Sequence, residues 1–88
     1  MSTYLIAYDL IGSDKDYDDL IAKLLEWKGT RILESTWIIS NRKESAKVIK
    51  NVLKALALDS NDKIIVIQIT PDSKYASYNL EAKIRDLL

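Results

Sequence analysis

The regular spacing of four lysines is the first feature of this sequence that could do chemistry. Lys43, Lys47, Lys50 and Lys54 follow one another at steps of four, three and four residues, directly after Arg42. In a helix these steps place the lysines on one face. Such a row of cations can follow the phosphate backbone of a nucleic acid. A solvated lysine face is the commoner meaning of this pattern, so both interpretations stay open.

The absence of histidine and cysteine limits the chemistry available to the chain. Without them there is no imidazole base, no thiolate nucleophile and no zinc site of the usual kind. Two scattered glycines also exclude the phosphate-cradling loops of P-loop and dinucleotide-binding proteins. The 13 basic and 13 acidic side chains cancel. Nucleic-acid binding would therefore need a local basic patch, because the whole molecule carries no net attraction.

The first predicted elements are a strand and a helix. Thr3–Leu10 is rich in β-branched and aromatic residues, which favours a strand. Apolar residues at helical spacing then predict a helix, with Ser13 and Asp14 as candidates for its N-cap. Gly29 is predicted to end it as a left-handed cap. The apolar stripe of this helix consists of Tyr17, Leu20, Ile21, Leu24 and Leu25.

The rest of the chain predicts three strands and two helices. The segment 30–40 is strand-like with a polar interruption, which indicates two short strands that meet at a tight turn or bulge near Glu34 and Ser35. A second helix is predicted from Glu44 to about Leu58. Its apolar stripe consists of Val48, Ile49, Val52, Leu53 and Leu56. The last elements are a strand over Lys63–Thr70 and a third helix over Tyr75–Leu88.

This order of elements predicts an α+β fold of the ferredoxin-like βαββαβ type. With right-handed crossovers, it gives a four-stranded antiparallel sheet with two helices on one face. We expect one domain over residues 1–88, with its core in 1–70 and an extra C-terminal helix in 71–88. The longest apolar run is short and the first residues do not resemble a secretion signal. These features predict no membrane span and a cytoplasmic location.

Both faces of the predicted sheet are apolar. Tyr4 and Ile6 alternate with Leu5 in the first strand, and the segment 64–67 is apolar at every position. Two helices cover only one face, so the other needs the third helix or a second copy of the chain. A chain this short, without disulfides or zinc, is marginally stable alone. The sequence therefore predicts a homodimer.

Several segments together resemble the CRISPR-associated Cas2-like proteins and their VapD-like toxin relatives. They are a first strand that ends in Tyr-Asp-Leu at 8–10, the segment 31–38 (RILESTWI), and the run 59–63 (DSNDK) before an apolar strand. The resemblance covers roughly residues 3–70 and lies in the order and spacing of these pieces.

The resemblance implies a homodimer in which Asp9 meets its counterpart from the other chain. The pair would hold a divalent metal for phosphodiester hydrolysis. Mg²⁺ suits such a site because it binds oxygen ligands, often one or two carboxylates with water completing the octahedron. The alternative is that Asp9 only ends a strand and caps the turn that follows, as aspartate often does.

The same resemblance places Arg31, Ser35 and Thr36 near the scissile phosphate, where a guanidinium and hydroxyls can hold phosphate oxygens. The alternative is an exposed strand arginine beside a turn serine. Two hypotheses follow: a metal-dependent nuclease acting on RNA or DNA, and a non-catalytic dimeric module that binds nucleic acid or protein. The family's usual final strand is replaced by the helix predicted in 71–88, so assembly with a CRISPR integrase is not expected.

Overall fold

The computed structural model, which describes residues 1–11 and 17–88, shows one sheet with helices packed on it. In chain order its elements are β1 (Ser2–Asp9), α1 (Asp18–Glu26), β2 (Thr30–Leu33), β3 (Thr36–Arg42), α2 (Ala46–Ala57), β4 (Lys63–Ile69) and α3 (Ile84–Leu87). The strands pair antiparallel in the order β2-β3-β1-β4. This order confirms the predicted ferredoxin-like α+β fold with an added C-terminal helix. The predicted N-cap residues Ser13 and Asp14 lie outside the described residues.

The core lies between one face of the sheet and the two long helices. Alternation along β1 turns Tyr4, Ile6 and Tyr8 toward the helices, and all three are buried. Trp37 from β3 donates its indole N–H to the Tyr8 hydroxyl at 3.0 Å, so the polar atoms of both rings are satisfied inside the core. Among the residues whose burial is described, the helices contribute four that are fully buried: Leu20 and Leu24 from α1, and Ile49 and Leu53 from α2.

The hairpin of β2 and β3 confirms the predicted break in the segment 30–40. Glu34 and Ser35 form its turn. The pairing register shifts between Arg31 and Leu33, as at a β-bulge.

The end of α1 corrects the predicted role of Gly29. The left-handed residue is Lys28, with a φ of 59°. The Lys28 amide donates to the Leu25 carbonyl at 2.9 Å and the Gly29 amide to the Leu24 carbonyl at 2.8 Å, which is the bond pair of a Schellman motif. Gly29 is required by packing instead, because a Cβ there would lie 2.9 Å from the Leu24 oxygen and 3.0 Å from Cγ2 of Ile39.

The second long helix begins later than predicted and buries less of its apolar stripe. The Ser45 hydroxyl accepts a hydrogen bond from the Val48 amide at 3.2 Å, so Ser45 is the N-cap and the helix starts at Ala46, two residues after Glu44. Two members of the predicted stripe, Ile49 and Leu53, are fully buried. The other three are exposed: Val48, Val52 and Leu56.

The predicted third helix is much shorter in the structure. Only Ile84–Leu87 is helical, and residues 71–83 are irregular. Tyrosine, serine and asparagine in this segment are weak helix formers. Asn79 also has a φ of 59°, a conformation that interrupts a right-handed helix. None of the helices in the described ranges is long and apolar enough to cross a membrane.

The second face of the sheet is apolar as predicted, and it is covered only in part. The segment 71–88 lies over the β3 side, where Ile38 is 2% exposed and the Ser40 hydroxyl donates to the Leu87 carbonyl at 2.9 Å. On the β4 side, Ile65 is 53% exposed and Ile67 is 45% exposed. The C-terminal segment therefore supplies part of the expected cover and leaves an apolar strip on β4.

Candidate functional site

Asp9 is the last residue of β1 and pairs across the sheet with Lys63 of β4. Alternation along the strand places its side chain opposite the buried Tyr8, on the face that carries Ala7 and its partner Ile65. Asp9 is exposed. In the described part of the chain, its carboxylate has no hydrogen-bond partner and no ion pair. It is therefore accessible to a cation or to a second protein chain.

A single chain offers few ligands for the predicted Mg²⁺ ion. Among the described residues there is no group of three or more histidine, cysteine or acidic side chains that could hold a metal. Because Mg²⁺ is commonly bound by only one or two carboxylates plus water, Asp9 fits such an ion best together with one further carboxylate.

The β2–β3 turn brings two hydroxyl-bearing residues to the end of β1. The Tyr8 amide donates to the Ser35 carbonyl at 3.1 Å, and Thr36 pairs with Ala7. Because paired residues of a sheet share a face, Thr36 lies on the same face as Asp9. The structure therefore brings Ser35 and Thr36 to the strand end that carries Asp9.

Arg31 is held on the other side of the sheet. It pairs with Trp37, whose ring belongs to the core under the helices, and its guanidinium lies 5.3 Å from the centre of that ring. Its Nε also donates to the Glu34 carbonyl at 2.9 Å. Arg31 therefore reaches the β2–β3 turn from the face opposite Asp9. A substrate would meet both side chains only at the edge of the sheet.

The predicted row of lysines is shorter than the sequence spacing indicated. Lys47, Lys50 and Lys54 share one side of α2. Lys43 comes before the N-cap Ser45, so the expectation that it lies on the helix face is wrong. The cause is the hydroxyl cap, which starts the helix after Lys43 and leaves this lysine exposed in the connection.

Arg42 has its charge compensated within the chain. Its guanidinium donates to both carboxylate oxygens of Glu44, at 3.1 and 2.5 Å, and lies 5.0 Å from the centre of the Trp27 ring. The hydrogen bond from Arg42 lowers the pKa of the Glu44 carboxyl below its usual value. Of the five basic residues predicted to contact nucleic acid, Arg42 is thus the one with a bidentate acidic partner.

The family model for CRISPR-associated protein Cas2 matches residues 1–76 of the chain. The protein belongs to the Cas2 family. Comparisons with curated proteins and with solved structures find no match. The resemblance inferred from the sequence is therefore confirmed at the level of the family. The part of this Cas2 protein that the match leaves out, residues 77–88, contains α3.

Sequence reasoning missed one residue of this Cas2 protein that the structure places near Asp9. The sequence placed Asp62 only within the run 59–63 before an apolar strand, but its carboxylate accepts hydrogen bonds from the Ile11 amide at 2.9 Å and the Asp59 amide at 3.1 Å. It immediately precedes Lys63, the cross-strand partner of Asp9. An acidic residue directly before an apolar strand was the available signal. The long-range bond to Ile11 could not be inferred from local spacing.

Proposed function

We propose that this Cas2 protein acts as a homodimer that hydrolyses phosphodiester bonds in RNA or DNA with Mg²⁺ held by Asp9 of each protomer. One observation carries the proposal. The Asp9 carboxylate, which has no partner among the described residues, lies on the sheet face that also carries the exposed Ile65 and Ile67. A second copy packed on this face would have its own Asp9 at the same edge.

The exposed strip on β4 supports the homodimer. Removing apolar surface from water stabilises an interface by about 25 cal/mol per Å², and Ile65 and Ile67 are both largely accessible. Most soluble homo-oligomers use a two-fold axis, which presents the same patch from both chains. An axis passing beside the end of β1 would bring the two Asp9 carboxylates together.

The chemistry follows from a carboxylate pair beside hydroxyl groups. Bound Mg²⁺ would supply an activated water and would stabilise charge on the phosphate. Asp9 of each chain would bind this ion. The hydroxyls of Ser35 and Thr36 would donate to phosphate oxygens at the same strand end. The terminal nitrogens of Arg31, which have no hydrogen-bond partner among the described residues, would bind a phosphate that approaches the turn from the sheet edge.

Replacing Asp9 by asparagine tests this function. Two carboxylates facing each other repel unless a cation lies between them, so Mg²⁺ should stabilise the wild-type dimer by about 2.7 kcal/mol at a hundredfold excess over its dissociation constant. Asp9→Asn should keep or raise the melting temperature without metal and lose both the Mg²⁺ response and hydrolysis of single-stranded RNA and duplex DNA. Thermal melts and gel assays measure these effects. Asp72→Asn, an exposed acid in the C-terminal segment, is the matched control.

The opposite result would favour the non-catalytic dimeric module. If wild-type protein ignores Mg²⁺ and Mn²⁺ while Asp9→Asn loses stability, Asp9 caps the turn after β1 and the nuclease proposal is wrong. The feature that favours this second function is that the described residues contain no group of three or more histidine, cysteine or acidic side chains that could hold a metal.

A further inference from the structure

The carboxylate of Asp62 connects three segments of the chain at one point. Its Oδ1 accepts hydrogen bonds from the Ile11 amide at 2.9 Å and the Tyr17 hydroxyl at 3.3 Å. Its Oδ2 accepts from the Asp59 amide at 3.1 Å. The donors belong to the chain after β1, to the cap residue of α1 and to the loop before β4. Hydrogen bonds to a charged carboxylate are stronger than those between neutral groups.

These hydrogen bonds lie where the pairing of β1 with β4 stops. Asp9 and Lys63 are the last paired residues of the two strands. Beyond them the Ile11 amide has no strand partner, and Asp62, the neighbour of Lys63, accepts its hydrogen bond instead. Asp62 therefore extends the connection between the two chain segments past the end of the sheet and fixes the backbone two residues after Asp9.

The side chain of Asp9 depends on this backbone for its position. In the described part of the chain, no hydrogen bond or ion pair restrains its carboxylate. On one side the Tyr8 amide is bonded to the Ser35 carbonyl, and on the other the Ile11 amide is bonded to Asp62. A ligand or catalytic carboxylate must be held to within about 0.5 Å of its productive position.

We propose that Asp62 is a positioning residue that aims Asp9 at its counterpart across the dimer axis. The inference rests on the proposed function, because it requires the two Asp9 side chains to meet. Groups that orient a metal ligand from outside commonly change metal affinity by about 10-fold to 100-fold when they are removed. We expect an effect of this size when the Asp62 carboxylate is lost.

Disulfide trapping tests, without metal or substrate, whether residue 9 of one chain is held close to residue 9 of the other. The chain has no cysteine, so Asp9→Cys introduces a single thiol that can only pair with another copy. A disulfide forms readily when the two Cα atoms lie about 4.4–6.8 Å apart. We expect rapid crosslinking of Asp9→Cys and a severalfold slower rate when Asp62→Ala is added, because the backbone after residue 9 is then held less firmly. Asp59→Ala in the same loop leaves the Ile11 amide bonded to Asp62, and it should crosslink at the Asp9→Cys rate.

The crosslinking rates are compared at equal dimer content, set by light scattering. Equal rates with Asp62→Ala and Asp59→Ala would overturn the inference while leaving the Asp9 pair intact. Failure of Asp9→Cys itself to crosslink would overturn the Asp9 pair, and the inference would fall with it. If Asp62→Ala does not fold, Asp62→Asn keeps an oxygen for the Ile11 amide but cannot accept from the Asp59 amide with its nitrogen. Asp62→Asn should then crosslink more slowly than Asp9→Cys alone, and an unchanged rate would contradict the proposal.

A second measurement uses native Asp9. The Mg²⁺ concentration that gives half of the melting-temperature shift should rise about 10-fold in Asp62→Ala. If Asp62 has only a structural role, Asp62→Ala should lower the melting temperature and leave this Mg²⁺ midpoint unchanged.

Discussion

Lys28 and Gly29 at the end of α1 have different roles. A left-handed conformation such as that of Lys28, with a φ of 59°, costs a non-glycine residue about 1 kcal/mol. Gly29 is needed for another reason, because Leu24, Ile39 and the ring of Trp37 leave no room for a Cβ. The sequence predicted a left-handed cap here but assigned it to the wrong one of these neighbours. Glycine preference alone cannot separate a backbone requirement from a packing requirement.

Substitutions at these two positions should change stability in opposite directions. Lys28→Gly should stabilise the protein by up to about 1 kcal/mol, because the left-handed conformation carries no penalty for glycine. Gly29→Ala should destabilise it by about 1–3 kcal/mol, the usual cost of forcing atoms into a packed site. Urea unfolding measures the change in the free energy of unfolding for both variants. A neutral Gly29→Ala would show that the neighbouring side chains can move aside.

At the scale of elements, periodicity predicted the strands and two long helices well. The alternation in β1 and β4 places the same residues on the same faces in the structure. It failed for residues 71–83, where a few apolar residues at helical spacing suggested a helix without enough good helix formers to sustain one. It also could not show which apolar residues of α2 pack on the sheet, because burial depends on where neighbouring elements lie.

The lysine side of α2 yields a prediction about nucleic-acid binding. Lys47→Glu combined with Lys50→Glu should change the free energy of unfolding by only about 0.5 kcal/mol, as surface substitutions usually do. The same pair should weaken binding and flatten its dependence on salt, because phosphate contacts govern that dependence. Fluorescence anisotropy with labelled duplex at several salt concentrations measures the binding affinity and its dependence on salt.

Lys74→Glu with Lys83→Glu makes the same charge change in the exposed C-terminal segment and should leave affinity and salt slope closer to the wild type. If both double substitutions weaken binding equally, the binding responds to the net charge of the protein. If neither changes the affinity or the salt slope, the α2 lysines are only a solvated face.

At the scale of the molecule, the sequence predicted a sheet with two apolar faces, and the structure divides the second face between the C-terminal segment and open solvent. The division could not be predicted, since it depends on how residues 71–88 return over β3. For the candidate site, the position of Asp9 at a strand end was predicted. The placement of Arg31 on the opposite face was not, because the register shift in β2 is invisible in the sequence.

The open strip on β4 should hold the homodimer together. Light scattering at micromolar concentration should give twice the 10.0 kDa mass of one chain. Ile65→Lys with Ile67→Lys should shift it to the monomer, because charged groups cannot be buried there without partners. Val48→Lys with Val52→Lys, which alters exposed apolar residues of α2, is the control and should remain dimeric. A wild-type mass of one chain would contradict the homodimer.

The order of the strands has a consequence for synthesis on the ribosome. The central strand β1 is made first, yet one of its neighbours, β4, is the last strand of the chain, and Thr3 pairs with Ile69. Pairings so distant in sequence form slowly and late in folding. The nascent chain must therefore leave one edge of the apolar strand β1 unpaired until β4 has emerged. Asp9 and Asp62 come together only then, so the candidate site cannot exist in a truncated nascent chain that lacks β4.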